Sequence, residues 1–298
     1  MGFLDVIYIV ILGIIEGITE WLPISSTGHL ILADAFLADM VNESIITNEF
    51  KEMFNVVVQL GAIFAIIIIY FKKLWPFGFN EIKVKNPDNN FKLIEENTAY
   101  TKNDKWIIWA KVGIACLPAV IVGLFLNDYL EKVFNNPLSV SITLILYGIF
   151  FILIELWTKN RRFKINDVKE LTFKYALIIG FIQLLSLIPG TSRSGVTILG
   201  AMLLLCSRSS AAEFSFFLSI PIMLGASLLK TVKFISSNTL VKEQVILLAI
   251  GMITALLVSI IIVKFLMSFI KKHGFTGFGI YRIILGIVVI LCFLCNVI

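Results

Sequence analysis

Two polar runs interrupt an otherwise apolar chain. The first reads Glu16-Gly17-Ile18-Thr19-Glu20-Trp21-Leu22-Pro23-Ile24-Ser25-Ser26-Thr27-Gly28-His29, the second Gln183-Leu184-Leu185-Ser186-Leu187-Ile188-Pro189-Gly190-Thr191-Ser192-Arg193-Ser194-Gly195. Glu16 and Glu20 are four apart, so on a helix they share a face. Two such carboxylates suit a divalent cation, or one of them can serve as a base. Pro23 stops that helix, and the hydroxyls of Ser25, Ser26 and Thr27 precede a new apolar run, the place of a helix N-cap. A helix N-terminus attracts anions through its free N–H groups and dipole, and phosphate is the natural guest. His29 adds an imidazole. In the second run Arg193 can grip phosphate oxygens in bidentate fashion, with Thr191 and Ser192 beside it and glycines that let a ligand approach the backbone. Gln183 and Ser186 lie a helical turn or so upstream and can face the same place. The plainer alternatives are hydroxyls that only satisfy turn backbone, and an Arg193 that only neutralises Glu16 or Glu20.

These groups must be held inside a membrane. Of 298 residues, 58% are hydrophobic, and the mean hydropathy is +0.95. Soluble domains run at about 45–50% apolar. A span needs roughly 20 apolar residues. Runs of that kind cover Met53–Phe71, Ile107–Leu126, Leu138–Trp157, Ala212–Leu229, Val245–Phe265 and Phe278–Val297. Leu4–Leu37 and Tyr175–Cys206 differ: each is apolar at both ends and broken in the middle by Pro, Gly and hydroxyls. Such segments predict re-entrant hairpins, since irregular backbone at membrane depth needs cover from protein or a wet cavity.

The order is hairpin, three spans, hairpin, three spans, which predicts an all-α polytopic protein made of two repeats, residues 1–160 and 174–298. Pro23-x-Ser25-Ser26 aligns with Pro189-x-Thr191-Ser192, and Phe54-x-x-x-x-Gln59-x-Gly61-Ala62 resembles Phe214-x-x-x-x-Ser219 with Gly225-Ala226. A hairpin returns to its own side and three spans are odd in number, so the second repeat is expected to be inverted. Lysine and arginine agree. Lys72, Lys73, Lys83, Lys85, Lys92, Lys102 and Lys105 mark one loop, and Lys159, Arg161, Arg162, Lys164, Lys169 and Lys174 a second. Lys271 and Lys272 mark a third, and all three read as cytoplasmic by the positive-inside rule. Asp34, Asp39, Glu43, Glu49 and Glu52 follow the first hairpin and place that stretch outside. The two polar tips then dip from opposite faces and meet near mid-membrane.

Other signals are bland. Net charge is +5, with no basic face interleaved by aromatics, so nucleic acid is excluded as a partner. Cys116, Cys206, Cys292 and Cys295 read as ordinary buried thiols, because the Cys292-x-x-Cys295 spacing has no second pair or nearby ligand. The N-terminus lacks a basic n-region and a cleavage site, so it is expected to stay in place. His273 reads as a solvated loop residue.

The runs Glu16–His29 and Pro189–Gly195, with Ala211-Ala212-Glu213-Phe214-Ser215-Phe216, closely resemble the signature motifs of the undecaprenyl-diphosphate phosphatase family linked to bacitracin resistance. The resemblance covers nearly the whole chain. It implies a multi-pass enzyme of the bacterial inner membrane that removes one phosphate from an isoprenoid diphosphate lipid and so regenerates the carrier for peptidoglycan. It also implies an inverted-repeat fold, a divalent cation (Mg²⁺, with Ca²⁺ as the alternative) and a site open to the outer, periplasmic side. Glu16 and Glu20 then bind metal or act as base, and Ser25, Thr27, Thr191, Ser192, Arg193 and Gln183 bind substrate. Ser26 is the expected nucleophile, with His29 as acid or base; the rival has His29 as nucleophile through a phosphohistidine. A second lipid-phosphatase class with Pro-Ser-Gly-His and Ser-Arg motifs needs a further histidine, and none follows Arg193 before His273. A lipid-phosphate transporter or flippase is the non-enzyme alternative. The oligomeric state stays open, a homodimer among the options.

Overall fold

The computed structural model describes residues 2–37, 41–77, 100–134, 136–295 and 297. The elements are α1 (Phe3–Thr19), α2 (Ser26–Leu37), α3 (Asn48–Val57), α4 (Gln59–Ile69), α5 (Phe71–Leu74), α6 (Lys102–Phe134), α7 (Pro137–Thr158), α8 (Phe173–Gln183), α9 (Arg193–Leu203), α10 (Arg208–Ser237), α11 (Lys242–His273) and α12 (Thr276–Leu294), with short 3₁₀ turns at Val168–Glu170 and Leu184–Leu187. Among the described residues the only extended pairing is an isolated bridge between Ile165 and Cys206.

Among the described residues six helical segments are long and apolar enough to cross a membrane: Asn48–Ile69, Lys102–Leu126, Pro137–Thr158, Arg208–Ser237, Lys242–His273 and Thr276–Leu294. All six expected spans are present, but most helices extend beyond the apolar stretch that announced them. Their ends are set by caps, not by hydropathy. Ser207 accepts from Ser210 N to start α10, and Asn136 accepts from Ser139 N with Pro137 following to start α7. Thr47 does the same for α3 through Phe50 N at 3.2 Å.

Two expectations need correction. His273 is the last residue of α11 and stacks on Phe269 at 4.6 Å, so it ends a helix where a loop was expected. Cys116 and Cys206 are buried thiols, but Cys292 is half-buried and Cys295 exposed, because the last turns of α12 face outward. Lys83, Lys85, Lys92 and Asp39 lie outside the described residues.

α1 packs along α11, α8 along α6, and α7 along α12. The α7–α12 crossing depends on two glycines. A Cβ on Gly148 would sit 2.7 Å from the Gly279 carbonyl, and one on Gly279 would sit 2.7 Å from the Gly148 carbonyl. In lipid there is little hydrophobic force between helices, so close backbone approach through small residues carries the packing. The largest core cluster joins both polar runs to α10: Trp21 lies edge-on to Phe216 at 5.2 Å, with Tyr70, Phe217, Val196 and Met202 around them.

Candidate active site

The first turn begins where α1 ends. Glu20 follows the last helical residue with its N–H still bonded to Glu16 O at 3.0 Å, so the two carboxylates lie on one face. Pro23 has no N–H to continue the ladder. Ser25 then takes a left-handed backbone (φ 74°), and α2 starts at the next residue. The second turn repeats this shape. Gly190 (φ 85°) and Ser192 (φ 69°) are left-handed, and α9 starts at Arg193 with Ser192 Oγ capping Gly195 N at 3.2 Å.

The backbones match with a shift of one residue from the alignment of prolines expected above. Ser25 corresponds to Ser192, not Thr191, because the left-handed residue before each helix is the true landmark. The same register pairs Ser26 with Arg193, Thr27 with Ser194, Gly28 with Gly195 and Glu16 with Gln183. Left-handed serine is strained by roughly 1–2 kcal/mol. Finding it at both landmarks shows two turns built to one plan.

The turns touch. Arg193 Nη2 donates to Glu20 Oε1 at 2.5 Å, and both side chains are about nine-tenths enclosed (12% and 9% exposed). Arg193 Nη1 donates to the Ser215 carbonyl of α10 at 2.8 Å. Ser194 Oγ donates to the Glu20 carbonyl at 3.0 Å and shares a 3.2 Å contact with Ser192 Oγ. A third residue ties both backbones. Arg282 of α12 is fully buried; its Nη1 donates to Pro23 O at 3.3 Å, and its Nη2 to Gly190 O and Thr191 O at 3.0 Å each.

Several polar atoms here have nothing to bond. Both Glu16 oxygens, Ser25 Oγ and the Gln183 amide are buried without a hydrogen-bond partner. Unsatisfied buried polar atoms are rare in native structures, and a cluster of them fits a ligand or ion site. Ser26 and Thr27 are half-buried at the start of α2, and the Ser26 hydroxyl has no partner among the described residues. Thr191 is fully buried in the second turn.

His29 sits apart from that charge pair. Its Nδ1 lies 2.7 Å from Ser25 O, and its Nε2 lies 2.8 Å from the Tyr281 hydroxyl of α12, with the two rings parallel at 5.7 Å. A carbonyl only accepts, so Nδ1 carries the proton and Nε2 accepts from Tyr281. Both nitrogens are engaged, and neither bonds to Ser26.

The expected cation has a partial cradle. Among the described residues no three of His, Cys, Asp and Glu gather into a metal cage. Glu16 and Glu20 supply two carboxylates, one with orphaned oxygens, and that donor set suits a hard cation completed by substrate phosphate and water.

Arg282, Tyr281 and Ser215 did not emerge as site residues from the sequence reading, whereas Ser194 stood in the second polar run. Arg282 carried a usable signal, a lone guanidinium inside the apolar run Phe278–Val297.

With this geometry in hand, comparison with known proteins gives a direct answer. A family profile described as Bacitracin resistance protein BacA matches residues 9–288. The chain belongs to that family. A protein of Enterococcus faecalis named undecaprenyl-diphosphatase is 54% identical over 94% of this chain and 95% of its own length. Proteins of the same name from Lachnoclostridium phytofermentans and Lactococcus lactis subsp. cremoris are 47% and 50% identical, each over 97% of both chains. The resemblance read from the two motifs is borne out, and those motifs are the two BacA-family turns that meet at Glu20 and Arg193.

Proposed function

We propose that this BacA-family chain is an undecaprenyl-diphosphate phosphatase, which hydrolyses the lipid diphosphate to lipid monophosphate and phosphate. Recycling of the carrier and bacitracin resistance follow from that activity. The observation that carries the reading is the Arg193–Glu20 contact between two helix-starting turns, with the free Ser26 hydroxyl at the start of α2. Such a set is suited to phosphoryl transfer, where positioning and charge stabilisation supply most of the rate.

In this mechanism Arg193 turns from Glu20 to the terminal phosphate, and the N–H groups at the starts of α2 and α9 hold its oxygens. Ser25, Thr27, Thr191, Ser192 and Gln183 supply further hydrogen bonds. Ser26 Oγ attacks the terminal phosphorus. An Oγ–P bond forms, the bridging P–O bond breaks, and the lipid leaves as its monophosphate. The Ser26 proton passes to Glu20, freed from its ion pair, or to His29 once Tyr281 releases Nε2. Water then attacks the phosphoserine phosphorus, the Oγ–P bond breaks and phosphate leaves; the base that took the Ser26 proton returns it to Ser26 Oγ and accepts one from the water. Glu16, together with Glu20 where His29 takes the proton, would hold Mg²⁺ or Ca²⁺, which when bound supplies charge neutralisation at the phosphate oxygens. The engaged ring of His29 favours Ser26 as nucleophile over a phosphohistidine route.

The inverted repeat, residues 1–160 and 174–298 with hairpins 4–37 and 175–206, belongs to this proposal. Its support is the matched pair of turns and an exchange in packing: α1 of the first half lies on α11 of the second, while α8 of the second lies on α6 of the first. Gly13 and Gly180 occupy equivalent places, and each meets a backbone carbonyl of the opposite half, at Gly251 and Ala115. The lysine-rich loops support a cytoplasmic side by the positive-inside rule, and the resemblance to the family implies an inner-membrane site that opens outward.

The same architecture suits a transporter of lipid phosphates, so the assay must see chemistry. Purified protein is incubated with a C55 or C15 diphosphate and Mg²⁺, and free phosphate is measured. Release that disappears in Arg193→Ala supports the phosphatase. Saturable binding without release assigns transport instead.

A further inference from the structure

A second basic site lies on the lysine-rich end of the molecule, in a groove between α4 and α11. The groove encloses about 360 Å³ and is lined by Ile69, Tyr70, Val263, Lys264, Met267, Ser268 and Lys271. Lys264, Ser268 and Lys271 recur at helical spacing, so they form one stripe along α11. Lys264 sits about 10 Å deeper than Lys271, at 1.5 Å per residue. Its neighbours Ile261 and Phe265 are 68% and 52% exposed, which marks this face of α11 as facing lipid. Lys264 is itself exposed, and no carboxylate lies within ion-pair distance of it among the described residues. Glu213 of α10, which acts electrostatically on Lys271, is already bonded to Lys73 at 2.8 Å.

An ammonium at a lipid-facing position costs several kcal/mol unless something neutralises it. Among the described residues no carboxylate pairs with Lys264, and the surrounding solvent is lipid. The counter-charge must therefore come from a lipid. We propose that the α4–α11 groove binds the phosphate of an anionic glycerophospholipid. Lys264 and Lys271 hold the phosphate from two depths, Ser268 and Tyr70 add hydroxyls, and the acyl chains run along the apolar face at Ile261 and Phe265. Basic pockets between helices on the cytoplasmic side are suited to anionic headgroups. The site is separate from the Glu20–Arg193 pair and stands whether or not the phosphatase reading holds.

The test is native mass spectrometry of the full chain released from bilayer discs of equimolar phosphatidylglycerol and phosphatidylcholine. Wild type should retain phosphatidylglycerol over phosphatidylcholine by on the order of 10-fold. Lys264→Gln/Lys271→Gln should fall to parity, while Lys264→Arg/Lys271→Arg keeps the preference. Helix content and gel-filtration profile check the fold; if the double glutamine variant does not fold, Lys264→Gln alone carries the comparison. No preference in wild type, or a preference that survives the glutamine variants, overturns the proposal. So does loss of bound lipid to excess inorganic phosphate, which would make this a free-anion site, or displacement by C15 diphosphate alone, which would make it a substrate site.

Discussion

The two turns share a backbone and differ in charge. Each places a left-handed serine just before a helix, Ser25 ahead of α2 and Ser192 ahead of α9, with a glycine three residues on. From there they part. The first turn carries the acids Glu16 and Glu20 and the free hydroxyls of Ser25 and Ser26. The second has Gln183 in the place of Glu16 and Arg193 in the place of Ser26, and its Ser192 is spent as a cap. One helix-starting scaffold is thus used twice, and the proposed mechanism puts the attacking and metal-holding groups on one copy and the phosphate clamp on the other. On that reading neither turn is complete alone, and the chemistry depends on the contact between them.

The sharpest way to break this comparison is to remove the charge that only the second turn supplies. Arg193→Ala should lower kcat/KM for phosphate release by on the order of 10³-fold or more, since an arginine on a transferring phosphoryl group is worth that much. Arg193→Lys should recover little, because a single ammonium cannot make the paired contacts of a guanidinium. Phosphate-release kinetics measure both. An Arg193→Ala enzyme with wild-type rate would remove the clamp from the mechanism.

Next comes the residue that belongs to neither turn. Arg282→Met would leave the Pro23, Gly190 and Thr191 carbonyls without their donor, at roughly 1–3 kcal/mol for each unsatisfied group. The expected outcome is a lower thermal midpoint in detergent together with a loss of turnover on the order of 10²-fold, the usual result of ångström-scale misplacement. A variant that unfolds sooner but turns over normally would show that the two turns hold register without Arg282.

The residues explain what could be read before any coordinates. The two motifs were legible because charged and hydroxyl side chains stand out against apolar sequence, and the Glu20–Arg193 meeting followed from segment order. Arg282 obeyed the same rule and was passed over, because one cation in a long apolar run looks like noise beside the four consecutive polar residues Thr191–Ser194. Lys264 was passed over for the same reason. The one-residue slip in pairing the turns came from using proline as the landmark. Pro23 and Pro189 end helices but do not sit at matched backbone positions, whereas left-handed serine has no signature in sequence. Helix ends ran past their apolar cores because Ser207, Thr47 and Asn136 set them by hydrogen bonds, which hydropathy does not register.

A third experiment makes the turns more alike. Glu16→Gln gives the first turn the residue found at the matching place in the second. If Glu16 helps to hold the cation, the divalent concentration for half-maximal rate should rise on the order of 10-fold or more, while the maximal rate recovers much of its value at saturating Mg²⁺. The reverse change, Gln183→Glu, should leave that concentration unmoved. A Mg²⁺ titration of phosphate release reads both. Equal shifts in the two variants would mean the matched positions are functionally equivalent, and the division of labour would fail.

The smallest expected effect separates the two left-handed serines. Each is strained, and glycine at either place relieves that strain while adding unfolded-state entropy. Ser25 Oγ bonds to nothing, so Ser25→Gly should be stabilising by ~0.5 kcal/mol. Ser192 Oγ caps Gly195 N, so Ser192→Gly gives back a few tenths of a kcal/mol through the lost cap and should come out near neutral. Thermal unfolding of the purified variants in one detergent measures the difference. Activity should move the other way: strain kept at Ser25 without a structural hydrogen bond is what a substrate-facing hydroxyl requires, so Ser25→Gly should be the more stable protein and the slower enzyme. Equal stability changes in the two variants would mean that Ser25 Oγ is satisfied within the fold, and its place in the substrate site would be lost.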